Sequence, residues 1–73
     1  MDTLITLEQI RKKLQEAIKL SGITQKELGS RIGVHQTAVG QYLSGRAMPA
    51  LDTFANLCVV LDIDPADILC IDE

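Results

Sequence analysis

The fold is decided by residues 24–45, which read TQKELGSRIGVHQTAVGQYLSG. Two segments with helical spacing lie on either side of Gly33, a residue that permits a positive φ and a sharp change of direction. Thr24 followed by Glu27 has the spacing of a capping box, so the first helix is predicted from there to about Ile32. This stretch therefore predicts two short helices that meet at a tight turn.

The second helix is predicted to begin near His35 or Gln36 and to end at Ser44. Its inward face would carry Val39, Tyr42 and Leu43, and its outward face Gln36, Thr37, Gly40, Gln41 and Ser44. A solvated helix face more often carries Glu and Lys. Glutamine presents a donor and an acceptor together to the edge of adenine, and threonine offers a hydroxyl and a methyl. Taken alone, this face is either a surface for a DNA groove or an incidental polar surface.

Gly29 lies inside the first of these helices, where glycine costs about 1 kcal/mol relative to alanine. So short a helix would keep such a residue only if another segment passes close to a position without a β-carbon. We therefore expect a neighbouring helix to cross at Gly29.

The rest of the chain predicts three further helices. Thr6 and Gln9 form a capping box before a helix that stops at Gly22, and the last helix starts at Asp64 with Pro65 in its first turn. The helix between Pro49 and Asp62 has apolar positions at Leu51, Phe54, Ala55, Leu57, Cys58 and Leu61. No segment alternates with period two over the length of a strand. We expect an all-α, compact five-helix fold and a single domain over residues 1–73.

Composition excludes several classes of protein. The chain has 73 residues and is 47% apolar, which is enough for one core and too much for a disordered tail. Two cysteines, Cys58 and Cys70, are too few for a disulfide scaffold, and with the distant His35 they fit no metal spacing. The N-terminal charge follows the apolar stretch, the reverse of a signal peptide, and no apolar run is long enough to span a bilayer. We expect a soluble cytoplasmic domain without metal or cofactor. Cys58 is expected to be buried and Cys70 exposed.

Charge is distributed unevenly along the chain. The net charge is −3, which by itself argues against nucleic acid. All seven basic residues lie within residues 1–46 with four acidic ones, a net charge of +3, whereas residues 47–73 carry six acidic residues and no basic ones. One positive face is therefore compatible with the acidic total.

The pattern T-Q-x-E-L-G-x-x-I-G-V-x-Q-x-x-V-x-x-Y-L-S-G-x-x-x-P over residues 24–49 resembles the helix-turn-helix of the Xre/Cro, lambda-repressor-like family. The resemblance continues through Leu51, Leu57 and Leu61 into residues 63–69 and covers roughly residues 7–70. It implies a five-helix DNA-binding domain with the helix-turn-helix at helices 2 and 3. In such domains the second helix of the unit lies in the major groove and the first crosses the DNA backbone.

The resemblance also implies roles for single residues. Gln36, Thr37 and Gln41 would contact base edges, and Gln25 and Arg46 would contact phosphates. Further phosphate contacts would come from Lys26, Arg31 and the hydroxyl of Tyr42, although we expect the Tyr42 ring to pack inside. Three positions stay open as DNA contacts, namely His35, Gly40 and Ser44. The chain departs from the family at His35, where a Ser or Thr cap is usual, at Gly40, where a larger side chain is usual, and at Asp62, where glycine is usual.

The function that the resemblance implies is sequence-specific binding of double-stranded DNA by a bacterial or phage-encoded transcriptional regulator, a repressor. One domain contacts a half-site, so a homodimer on a pseudo-palindromic operator is expected. The apolar C-terminal residues Ile68, Leu69 and Ile71 either form the dimer surface or complete the core. No arrangement of nucleophile and base points to an enzyme. Two alternatives keep the fold: an antitoxin or phage-type regulator that also binds a protein partner, and an interaction module that does not bind DNA.

Overall fold

The computed structural model describes residues 4–71, and the chain forms five helices there. They are α1 (Leu7–Ser21), α2 (Gln25–Ile32), α3 (Gln36–Ser44), α4 (Leu51–Leu61) and α5 (Pro65–Ile68). No strand occurs within this range, so the all-α prediction is confirmed. The outer ends of the predicted domain, residues 1–3 and 72–73, lie outside the described residues.

The helix starts follow the capping signals, with one difference. Thr6 Oγ1 accepts a hydrogen bond from Gln9 N at 3.2 Å, and Gln9 Oε1 accepts one from Thr6 N at 2.8 Å, which completes the capping box of α1. At α2, Thr24 Oγ1 accepts from Glu27 N at 3.1 Å, but the Glu27 carboxylate binds Nε of Arg31 at 2.8 Å instead of returning to the cap. The predicted second capping box is therefore only half formed, because its carboxylate has a cation one turn later.

Positive φ angles end the first four helices. Gly22, Gly33 and Gly45 follow α1, α2 and α3 at φ values of 72°, 81° and 83°, and Asp62 follows α4 at 55°. The turn predicted at Gly33 is thus present. Asp62 takes the left-handed conformation that glycine would adopt without strain.

The core lies between the helix-turn-helix and the other three helices. Its buried members come from all five helices and are Leu14, Ile18, Leu28, Ile32, Val39, Tyr42, Leu57 and Ile68. Helices α2 and α3 pack most extensively on each other, α1 lies against α3, α4 and α5, and α4 also contacts α2. The helix-turn-helix, α2 and α3, therefore packs with its inner side against α1 and α4, and the outer side of α3 stays accessible.

The apolar positions of α4 divide between core and surface. Leu57 and Cys58 are buried and Phe54 and Leu61 are half-buried, whereas Ala55 is exposed and Leu51 is 86% exposed. Leu51 belongs to the first turn of α4, where it borders a cleft of about 190 Å³ that Leu7, Ile10, Met48, Pro49, Phe54 and Leu69 also line. Helical spacing alone does not distinguish Leu51 from Leu57.

Gly29 is close to a turn and not to a crossing helix, which corrects the expectation from the sequence. A β-carbon at Gly29 would lie 2.7 Å from the carbonyl oxygen of Val34 and 3.2 Å from the backbone nitrogen of Gln36. Both atoms belong to the backbone that leads into α3. The missing side chain thus lets the start of α3 lie directly against α2.

The structure also decides two open points near the C-terminus. Of the two alternatives for the C-terminal residues, Ile68 takes the core, since it is only 4% exposed; Leu69 is half-buried and Ile71 is 50% exposed. Cys70 is partly buried, with its thiol 3.7 Å from the carbonyl oxygen of Ile68. Cys58 is buried as predicted, and burial, with a smaller effect of the Asp64 charge, raises the pKa of its thiol.

Candidate nucleic-acid interface

The start of α3 presents its side chains to solvent. His35 is the N-cap, and its Nδ1 accepts a hydrogen bond from the backbone N–H of Thr37 at 3.1 Å. The same nitrogen lies 2.9 Å from Oγ1 of Thr37. His35, Gln36 and Thr37 are all exposed. A histidine therefore replaces the usual hydroxyl cap, and the first turn of α3 remains accessible.

Gly40 does not simply point outward, which corrects a second expectation. It is half-buried, and a β-carbon there would lie 3.1 Å from Oε1 of Gln25. The carboxamide of Gln25, at the start of α2, thus lies across α3 where a side chain is missing. The fold thereby brings two of the predicted site residues into contact.

The second half of α3 is tied to its own backbone. Gln41 and Ser44 are exposed, but the Ser44 hydroxyl donates to the carbonyl oxygen of Gln41 at 3.2 Å. The backbone N–H of Arg46 donates to the same carbonyl at 3.0 Å. Arg46 is therefore held directly after the helix, with its side chain exposed. Nε2 of Gln15 on α1 donates to the carbonyl oxygen of Leu43 at 3.0 Å and anchors this end of α3.

Arg11 is a cationic residue of this region that the sequence did not indicate. Its Cδ would lie 3.1 Å from a β-carbon at Gly45, so the side chain crosses the end of α3. Nη1 of Arg11 pairs with Glu8 at 2.8 Å, whereas its Nε is buried without a hydrogen-bond partner among the described residues. Nothing in the sequence signals this placement, because Arg11 and Gly45 are far apart in the chain and only the packing of α1 on α3 joins them.

The remaining predicted phosphate contacts differ in their surroundings. Tyr42 is 7% exposed, so its ring packs in the core, and burial, followed by the Asp52 charge, raises the pKa of its hydroxyl. Lys26 and Arg31 are exposed on α2. Arg31 forms a half-exposed ion pair with Glu27, and such pairs contribute about 0–1 kcal/mol. This guanidinium is thus easily shared with another anion.

Other kinds of site find little support within residues 4–71. No cluster of three or more His, Cys, Asp or Glu side chains is placed to hold a metal ion in this range. None of the helices described there combines the length and the apolar character that crossing a bilayer requires. The features that stand out are the exposed side chains of α3 and the basic residues around its end.

Comparison with known proteins identifies the family to which this fold belongs. The helix-turn-helix family model matches residues 14–68. The HTH-type transcriptional regulators for conjugative elements R391 of Providencia rettgeri, SXT of Vibrio cholerae and pMERPH of Shewanella putrefaciens are each 37% identical to this chain over 41 residues, or 56% of it. The chain covers only 19% of the length of these relatives, and no solved structure matches it significantly. The chain belongs to the helix-turn-helix family of the Xre/Cro, lambda-repressor-like type.

Proposed function

We propose that this protein is a sequence-specific DNA-binding transcriptional regulator, a repressor, in which α3 contacts one half-site in the major groove. The observation that carries the proposal is the exposed, uncharged start of α3, which lies directly against α2 because of the close approach at Gly29. The family match supports DNA binding, and the relatives named above are transcriptional regulators. We further propose that the domain, residues 1–73, acts in the cytoplasm without cofactor or enzymatic activity.

Base recognition is assigned to Gln36, Thr37 and Gln41. All three are exposed on α3 and uncharged, so their hydrogen-bonding groups can meet base edges without a charge to desolvate. Amide side chains offer a donor and an acceptor together, which suits the N6 and N7 atoms of adenine. The hydroxyl of Ser44 donates to its own helix, so Ser44 is a weaker candidate than these three.

Phosphate binding is assigned to residues at both ends of the unit. Arg46 follows α3, and Arg11, which crosses the end of the same helix, adds a second guanidinium. Gln25, Lys26 and Arg31 lie on α2, the helix that crosses the backbone in this family. For Tyr42, only the hydroxyl is assigned to phosphate binding, since its ring is buried. The net charge of +3 over residues 1–46 supports binding to phosphate that weakens with salt.

We also propose a homodimer, because one α3 contacts only a short half-site and two-fold dimers bind half-sites about 34 Å apart. We assign the dimer surface to apolar residues that remain accessible, namely Ile71 and the cleft that Leu7, Leu51 and Leu69 line. This surface replaces the one that would have included Ile68.

The experiment that tests the function is selection of bound sites from random duplex DNA at low salt. A repressor-type dimer is expected to recover a pseudo-palindrome whose halves are about one helical turn apart. An interaction module of the same fold would retain no duplex even at low salt. Expression of a reporter behind the recovered site then decides between repression and activation, since only a repressor lowers it.

Two substitutions separate base contacts from phosphate contacts. Gln41→Ala is expected to relax the selected sequence at one base pair, at a cost of about 1–3 kcal/mol for the preferred base, and to leave the salt dependence unchanged. Arg46→Ala is expected to weaken all duplexes alike and to reduce the slope of log affinity against log salt by about 0.9. The measurement is a binding titration at several salt concentrations, with Glu16→Gln on the exposed surface of α1 as a control. Parent-like binding by both variants would refute this placement of the DNA surface.

Gly40→Ala is expected to raise the free energy of unfolding and to lower the affinity for DNA. Alanine favours a helix over glycine by about 1 kcal/mol, and the new methyl meets only the flexible Gln25 side chain. The methyl displaces the Gln25 carboxamide, so DNA affinity is expected to fall about fivefold, the value of one hydrogen bond. Chemical unfolding and DNA titration measure the two effects. In a Gln25→Ala background the same substitution should leave affinity unchanged; an equal loss there would mean that the methyl clashes with DNA directly.

A further inference from the structure

The cap of α3 determines where the proton of His35 lies. The backbone N–H of Thr37 can only donate, and it points to Nδ1 of His35 at 3.1 Å. Nδ1 therefore carries no proton, and the neutral imidazole holds its proton on Nε2. The ring is exposed, and its tautomer is set by the helix that it caps.

The same nitrogen also orients the hydroxyl of Thr37. Oγ1 of Thr37 lies 2.9 Å from Nδ1, a distance at which two lone pairs would repel. The hydroxyl therefore donates its proton to Nδ1, whose one lone pair it shares with the backbone N–H of Thr37. Its remaining lone pairs point away from the ring, and Thr37 is exposed beside Gln36 in the first turn of α3.

We propose that His35 is a positioning residue that makes Thr37 a hydrogen-bond acceptor toward DNA. The chemical group that such an oxygen takes is an exocyclic amino group, either N6 of adenine or N4 of cytosine. The carbonyl oxygens of guanine and thymine are excluded, because they need a donor. This inference rests on the proposed function, and it assigns to Thr37 a class of base.

The Thr37 hydroxyl discriminates between bases because it can no longer rotate freely. A free threonine hydroxyl turns its proton toward a carbonyl or away from it, so it accommodates any base. A hydroxyl already bound to Nδ1 would have to break that hydrogen bond before donating to a base. Recognition of one base class is thus provided by a residue that itself need not touch the base.

Site selection with four proteins tests the inference: the parent, Thr37→Val, His35→Gly and His35→Asn. Thr37→Val removes the hydroxyl at nearly constant shape and identifies the base pair under this side chain. We expect the parent to prefer adenine or cytosine on one strand there by about tenfold over guanine or thymine, a preference within the range of a single specific contact. Thr37→Val should abolish that preference.

The two His35 variants form a matched pair. Glycine is a tolerated N-cap without an acceptor, so His35→Gly keeps α3 folded but frees the Thr37 hydroxyl. The preference at this base pair should fall to within about twofold, while the other positions of the site remain unchanged. Asparagine is a good N-cap with an acceptor oxygen, so His35→Asn should keep the preference. Circular dichroism of each protein verifies that it is folded under the selection conditions.

Several results would overturn the inference. These are a guanine or thymine at the identified position in the parent site, an unchanged preference in His35→Gly, or the absence of any position that responds to Thr37→Val. Failure of the proposed function looks different, since in that case the parent protein itself recovers no duplex at low salt.

Discussion

Gly29→Val is expected to lower the free energy of unfolding by about 3 kcal/mol and to abolish DNA binding at temperatures where the parent is folded. The β-carbon would lie 2.7 Å from the carbonyl oxygen of Val34, and this atom belongs to backbone that cannot rotate away. Two further methyl carbons increase the conflict. Either α2 and α3 separate or the turn between them changes course, and both results destroy the relative placement of the two helices.

The matched control for this change is Gly40→Val on the neighbouring helix. A β-carbon there would meet only the side chain of Gln25, with Oε1 at 3.1 Å and Cδ at 3.9 Å, and this side chain can move. Urea unfolding monitored by circular dichroism should therefore show a large loss for Gly29→Val and a change below about 0.5 kcal/mol for Gly40→Val. Equal losses of unfolding free energy in the two variants would show that the close approach of the turn backbone is not the reason for glycine at position 29.

Leu57→Ala is expected to lower the free energy of unfolding by about 3–4 kcal/mol. Leu57 is 0% exposed and lies on α4, which packs against both α1 and α2. Truncation removes buried methyl groups and leaves a cavity that these helices close only in part. A domain of this size has a total stability of about 4–11 kcal/mol, so the variant loses a large share of it.

Leu51→Ala is the matched control on the same helix. Its side chain is 86% exposed at the border of a cleft, so the loss should stay below about 0.5 kcal/mol. Urea unfolding of the two variants side by side measures the difference. If the losses were similar, the core would extend over the start of α4, contrary to the exposure of Leu51. Affinity for DNA should follow stability in Leu57→Ala. Because Leu51 borders the proposed dimer surface, its variant is compared on a duplex with a single half-site, for which affinity should remain unchanged.

Local signals predicted the helices because both partners of each signal are close in the chain. The Thr6 cap with Gln9 and the stop at Gly33 involve residues within one turn of each other. Such interactions form in much the same way whatever the rest of the fold does. The capping box at Thr24 fails for the same local reason, since Glu27 has an alternative partner in Arg31 one turn away. Sequence-based boundaries were therefore close to the observed ones throughout.

Helical periodicity predicted which faces are apolar, but not how far the neighbouring helices extend over them. Leu51 and Leu57 are the same residue type on one helix, yet one is exposed and the other buried. Ile68 belongs to the core, whereas its position near the C-terminus was compatible with the core and with a dimer surface alike. Burial depends on the length and angle of the helices above a residue, and no residue carries that information alone.

The candidate site likewise contains residues that the sequence predicted and contacts that it did not. The sequence pattern identified the exposed amides of α3 and the cation after it, because these belong to one continuous stretch. The contact of Gln25 with Gly40 joins two helices, and that of Arg11 with Gly45 joins α1 to the end of α3. The two contacts of His35 with Thr37 join residues only two positions apart. They nevertheless depend on the helix, because the first N–H groups of α3 lack acceptors only when α3 has formed.

By itself, the sequence determined the five helices, the turn at Gly33 and the membership of the helix-turn-helix family, since caps, glycine stops and apolar spacing act over a few residues. Only the tertiary structure decided that Gly29 accommodates the backbone entering α3, that Gln25 lies on Gly40 and that Arg11 crosses the end of α3. The physical reason is that these contacts depend on where separate helices cross. The positions of those crossings depend on the packing of the whole core, and no single segment of the sequence determines them.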